Sequence, residues 1–198
     1  MSDNPIRFKF NAKKAAQAAH KFLTLSGGTR NYMELVKLLY LADREALIRL
    51  EKQITGDSLS ALPNGPVVSH ILNLIRWGPA NEEDAPWFDA VSPPEGYTVK
   101  ALEGCGDDEL SGAESQIISE VFARYGRRDW KELSRLTHRL PEYVDPQGSS
   151  LPISPEQILK LEGKSQETIE RIRRDISSYD QLDREISAYQ GQEFEVPA

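Results

Sequence analysis

One run of sequence constrains this chain more than any other. From Tyr32 the residues read YMELVKLLYLADREALIRLEKQ, with Met33, Val36, Tyr40, Leu47 and Leu50 near one helical face. Leu35, Leu38, Leu39, Leu41 and Ala42 widen that face until most of the circumference is apolar. Such a helix has to be surrounded by other elements, so the spacing predicts a central helix around which the rest is built. Asn31 is placed to cap it, and Glu34 stands where the acid of a capping box belongs.

Other helices follow by the same logic. Asn11 opens one that runs to Leu25, with Ala15, Ala16, Ala19, Phe22 and Leu23 as its stripe. The segment Leu25–Gly28 (LSGG) reads as a helix end and turn rather than a phosphate loop, because a helix precedes it. Ser111 and Glu114 form a capping box for a helix reaching Tyr125. Asp129 starts a short helix stopped by Pro141, and Ser154-Pro155 starts another that ends at Gly163. A long amphipathic helix is predicted from Ser165 to Tyr189, with Ile169, Ile172, Ile176, Tyr179, Leu182, Ile186 and Tyr189 along one side. The tail GQEFEVPA reads as loose.

Extended structure is sparse. Ser58 to Leu62 reads as a short strand between two turns, and Pro66 as the first residue of a third helix over Val67 to Arg76. The stretch Gly78 to Asp108 is rich in proline, glycine and acids. Within it PWFDAV and YTVKAL flank SPPEG and read as a small β-hairpin. The expected fold is therefore mainly α with a small β-hairpin: a compact multi-helix domain over residues 1–146, and a helical extension over 147–198.

Charge divides the 198 residues unevenly. The first hundred hold 12 Lys/Arg and 11 Asp/Glu; the rest hold 12 and 20, and the whole chain is at -7. That balance disfavours general nucleic-acid binding and suits a basic protein partner. No apolar run is long enough to span a bilayer and no secretory leader is evident, so the chain reads as cytoplasmic. A single cysteine, Cys105, excludes an internal disulfide.

His20, His70 and His138 do not fall at metal-ligand intervals, and no nucleotide or nucleophile motif is present; no cofactor, metal or catalytic residue is assigned. Asp43 and Asp57 are the acids best placed to approach one another, and His138 lies between Leu136 and Leu140. An acid–base role needs one carboxyl desolvated. The structural alternative has Asp43 on Arg44 or a nearby backbone donor, Asp57 in an Asx turn and His138 in a packing role, and the residues favour it.

The ordered set KLLYLADRE (Lys37 to Glu45), ITGD (Ile54 to Asp57) and GPVV (Gly65 to Val68) resembles the Panacea domain of SocA-like antitoxins, a family also met in phage-associated proteins. LSGAESQIISEVFARYG and WKELSRLTHRLPEY resemble its closing helices, so the likeness runs from about Phe10 to Tyr143. It implies an antitoxin that neutralises a cognate toxin by direct binding, or that acts as an adaptor to a ClpXP-type protease. Partner contact is expected at Asp43, Arg44, Asp57, Trp77, Trp87, Phe88, Ile172, Ile176 and Tyr179. Competing readings are an operator-DNA-binding autoregulator using Arg124, Arg127, Arg128 and Lys131, a phage accessory interaction protein, and an enzyme using Asp43, Asp57 or His138. Homo-oligomerisation is compatible with all of them.

Overall fold

The computed structural model describes residues 5–190. Helix α1 (Ala12–Leu25) starts where Asn11 Oδ1 accepts the Lys14 amide at 2.9 Å. Strand β1 (Thr29–Asn31) leads directly into α2 (Tyr32–Leu50), which Asn31 caps through the Met33 amide at 2.8 Å. Glu34 pairs with Arg30 at 3.1 Å. Helix α2 ends at Glu51, whose φ of 60° reverses the chain. Every residue from Leu35 to Asp43 is buried, including Lys37 and Asp43. The helix packs against α1, against the strand Gly65–Val68 and against the helices Gly112–Tyr125, Trp130–Thr137 and Pro155–Leu161, so the expected central position is the observed one.

Strands β2 (Leu59–Leu62) and β3 (Gly65–Val68) form an antiparallel hairpin in which Leu62 faces Gly65 and Ala61 faces Pro66. The expectation that Pro66 opens a helix is corrected here. Pro66 sits in β3, and α3 (Ser69–Trp77) begins three residues later. Because β3 lies at the edge of its sheet, the missing proline N–H has a tolerable place. Helix α3 has no cap from its own first residues; the carboxylate of Asp57 supplies it, accepting the His70 and Ile71 amides at 2.8 and 2.9 Å.

The proline-rich insert also departs from expectation. Its first arm is no strand: a 3-10 turn over Glu82–Asp84 runs into α4 (Ala85–Phe88), with Pro86 in the first helical turn, where its ring favours the helix. The two arms meet at isolated antiparallel bridges, Val91 to Ala101 and Glu95 to Thr98, and the second arm, β4 (Thr98–Lys100), pairs with β1. The insert is thereby stitched to the start of α2, and Trp87, 1% exposed, packs into the core.

Three helices follow: α5 (Gly112–Tyr125), α6 (Trp130–Thr137) and, after β5 (Leu151–Ile153), α7 (Pro155–Leu161). Complete capping boxes at Ser111–Glu114 and Asp129–Glu132 start the first two, and Ser154 caps the third. Strand β5 pairs with the free side of β2, giving the sheet order β3-β2-β5. Residues after Pro146 thus share the one core: Ile153, Ile158, Leu159, Ile169 and Ile172 are all buried in it. Helix α8 (Gln166–Gln190) buries only its first turns, and its outer turns expose Tyr179, Leu182 and Ile186. The side chain of Tyr189 and the tail over residues 191–198 lie outside the described residues. Among the described residues, no helix is long and apolar enough to cross a membrane.

Trp87 is the largest wholly buried side chain, so Trp87→Ala should cost roughly 3–5 kcal/mol. Denaturant unfolding followed by far-UV circular dichroism measures it; a loss under about 1 kcal/mol would show that the insert is not integral to the core.

Candidate functional site

The polar residues of the run from Lys37 to Gly65 converge beneath the surface. The Asp43 carboxylate is completely buried. Its Oδ1 accepts the Ile54 and Thr55 amides at 2.8 and 2.9 Å, and its Oδ2 accepts the Thr55 hydroxyl. Thr55 Oγ1 accepts in turn from the Asp57 amide at 3.1 Å, while Asp57 caps α3. Gln53 Nε2 donates to the Asp57 carbonyl at 3.1 Å. One buried lattice therefore fastens the turn over residues 53–57 to α2 on one side and α3 on the other. Gly56 has no room for a side chain there: at φ +70°, a Cβ would lie 2.1 Å from the Lys9 carbonyl oxygen.

The two aspartates do approach one another, as their sequence positions suggested, but through Thr55 and out of solvent's reach. Asp43 takes the backbone-donor option and leaves Arg44 to other partners. Asp57 caps a helix more than ten residues on, rather than closing an Asx turn. Burial pushes the Asp43 carboxyl up from its ordinary 3.8 to about 7, against the pull of the Thr55 bonds and with a push from Asp57. Burial likewise lifts Asp57 to about 6, against the His70 and Ile71 amides.

Arg44 turns to the far end of the domain. It grips Glu142 through Nε at 2.7 Å and a second nitrogen at 3.2 Å, and also bonds Glu162. Glu142 is buried and accepts the Tyr40 hydroxyl at 2.7 Å. Burial pushes the Arg44 guanidinium down, yet the bonds and charge of Glu142 and Glu162 outweigh it and hold the group above its usual range. Lys37 is the unexpected member. Its Nζ is buried, donates to the Pro66 carbonyl at 3.2 Å, and is pushed down by desolvation to about 8. Gly65 makes room for it, since a Cβ there would stand 3.0 Å from Lys37 Nζ and 2.6 Å from Thr137 Oγ1.

The remaining candidates scatter. His138 is exposed at the end of α6 and stacks on Tyr143 with ring centres 4.5 Å apart. Trp77 is 81% exposed at the end of α3, whereas Trp87, in the core, is not reachable by a partner without unfolding. Phe88 and Ile176 are half-buried, Ile172 is buried, and Tyr179 is exposed. Sequence reasoning did not single out Glu142, whose tie to Arg44 spans 98 positions, nor the pairing of His70 with Asp84 at 2.7 Å. The sole sequence clue to Glu142 is a lone acid between Pro141 and Tyr143 in an otherwise apolar corner. No group of three or more His, Cys, Asp or Glu able to hold a metal occurs among the described residues.

The polar residues Lys37, Asp43, Arg44, Thr55 and Asp57 of the ordered motifs are all tied into the body by these bonds. A family model for the antitoxin SocA-like Panacea domain matches residues 35–142, more than half of the chain. The chain belongs to the SocA-like Panacea family. No curated protein and no solved structure matches it. The matched segment opens at Leu35 on α2 and closes at Glu142, the partner of Arg44, so the family's span coincides with the part of the fold that these buried bonds hold together.

Two measurements follow. Glu142→Ala leaves the buried Tyr40 hydroxyl without its acceptor and takes from the part-buried Arg44 one of its two carboxylate partners, and should cost roughly 1–3 kcal/mol in urea unfolding. Asp43 carries the larger part of a pH dependence to which Asp57, raised to about 6, adds in the same direction. The folded pKa of Asp43 lies above its unfolded value, so between pH 3.8 and about 7 the folded chain keeps a proton that the unfolded chain gives up. Stability should therefore fall as pH rises through that window. Asp43→Asn should shrink the fall to the part that Asp57 contributes, ending near pH 6; an unchanged profile would assign it to other groups.

Proposed function

We propose that this protein is an antitoxin that neutralises, by direct binding in the cytoplasm, a toxin encoded beside it. The observation that carries this reading is membership of the SocA-like family across the whole lattice-bound body, from Leu35 to Glu142. The site chemistry supports it. The acids that a hydrolase or transferase would use, Asp43 and Asp57, already spend their oxygens on backbone amides and Thr55. An inhibitor needs instead a rigid body and an exposed anchor.

Trp77 is the best anchor on offer. Arg76 beside it touches Met33 Sδ at 3.8 Å, tying the end of α3 to the start of α2. There Tyr32 stacks on the 65% exposed Tyr97 at 5.7 Å. Trp77 and Tyr97 are thus two exposed aromatics, one ending α3 and one beside the start of α2, and truncation of a central interface aromatic typically costs 2 kcal/mol or more of binding.

The test is co-expression with the adjacent reading frame. A neighbour that arrests growth alone and is harmless with this chain supports the antitoxin reading, and a harmless neighbour contradicts it. Trp77→Ala should weaken the purified complex by roughly thirtyfold or more while leaving the melting temperature unchanged. If toxin levels collapse only when a ClpXP-type protease is present, neutralisation runs through delivery rather than occlusion.

A further inference from the structure

Two exposed surfaces of this molecule lack partners, and each has what the other needs. The first is a basic concavity. Between positions 124 and 139 the chain carries Arg124, Arg127, Arg128, Lys131, Arg135 and Arg139 against only Asp129 and Glu132, in a protein whose overall charge is -7. Most other cations of the body are ion-paired: Lys13, Lys14, Arg30, Arg44, Arg49, Lys52 and Arg171 all reach a carboxylate. Among the described residues Arg127, Arg128, Arg135 and Arg139 reach none; Arg135 Nε donates to the Lys131 carbonyl at 3.4 Å. Arg128, Arg135 and Arg139 wall a hollow of about 510 Å³ whose floor is Tyr125, Leu136 and Leu140, with Glu132 at its side.

The second surface is the outer part of α8. Its apolar stripe is continuous, but its environment changes along it. Ile169 and Ile172 are buried on the body and Ile176 half so, while Tyr179, Leu182 and Ile186 are 70%, 52% and 47% exposed. From Asp175 to the helix end the sequence adds Asp175, Asp180, Asp183 and Glu185 against Arg184 alone. This is an acidic amphipathic helix whose apolar side continues a packed interface into solvent.

We propose that the outer half of α8 from one copy docks in the basic hollow beside α6 of a second copy. Tyr179, Leu182 and Ile186 meet the floor of Tyr125, Leu136 and Leu140, in the manner of a helix in a groove. The acidic shoulders meet Arg128, Arg135 and Arg139, which supplies orientation and partner choice. A two-fold pair satisfies both surfaces of both copies and closes the assembly at a dimer. The competing occupant of the hollow, a nucleic-acid backbone, faces an apolar floor and a chain of net charge -7. Direct pairing of two α8 helices would bring their like-charged flanks together. The second-copy hollow is the surface on this molecule with both the apolar floor and the opposite charge.

Charge exchange tests this with the full chain. Light scattering after gel filtration should give twice the 22.3 kDa chain mass at low salt, falling towards a single mass near 1 M NaCl, where exposed charges are screened. Arg135→Glu/Arg139→Glu and, separately, Asp175→Lys/Glu185→Lys should each weaken self-association by about tenfold or more with unchanged circular dichroism. Mixing those two variants should restore a dimer, because each then offers the charge that the other lost. A monomeric wild-type chain overturns the proposal. So do a dimer indifferent to both double variants, and a mixture that does not reassociate. Fluorescence anisotropy with a labelled DNA duplex reports the remaining occupant: duplex binding lost in Arg135→Glu/Arg139→Glu, with the wild-type chain monomeric, assigns the hollow to nucleic acid.

Discussion

A carboxylate with no exposure, Asp43, holds the middle of this molecule together. It takes two backbone amides and a hydroxyl from the turn after α2, and through Thr55 it reaches Asp57, which caps α3. An isolated buried charge would be ruinous, but a carboxyl whose oxygens are all occupied by local donors fixes geometry as few apolar contacts can. These bonds fix the exit from α2. The hairpin β2–β3, the start of α3 and the slot for β5 all depend on that exit.

The second fastening, Arg44 to Glu142, closes the matched segment on itself. It joins the C-terminal half of α2 to the loop after α6, and Glu162 extends it towards α8. The two adjacent residues of the Asp43-Arg44 pair thus point in opposite directions along the fold, one to the turn that follows and one to the far end. That is why a short motif can specify a body of more than a hundred residues. The residues with the look of an acid–base pair, Asp43 and Asp57, use their oxygens on the chain itself. The surfaces proposed for partners are the exposed aromatics Trp77 and Tyr97, the hollow beside α6, and the outer turns of α8.

The sequence was most legible where the determinants are local. Asn11, Ser111 with Glu114, Asp129 with Glu132, and Ser154 each cap a helix as their spacing requires, and the circumferential apolarity of α2 translates directly into burial. It was least legible where a distant partner decides. Pro66 looks like a helix start because its own preference fits one, but pairing with Ala61 holds it in a strand and Asp57 moves the helix start to Ser69. The insert alternates like a hairpin, yet Pro86 and the turn over Glu82–Asp84 make its first arm helical, which leaves Thr98–Lys100 to pair with β1. Trp87 reads as a surface aromatic in its acidic neighbourhood and is core, because the helix turns it inward.

The central claim is that the motif residues build the body and that action resides in binding. The most direct test is a titration of the adjacent gene's toxic product against the wild-type chain and against Asp43→Asn and Asp57→Asn chains shown to be folded. The account predicts saturable complexes whose affinities agree within a few-fold, with growth rescued equally by all three. Rescue abolished in a folded variant that still binds the toxin with wild-type affinity would contradict it, and would place chemistry at the buried carboxylates after all.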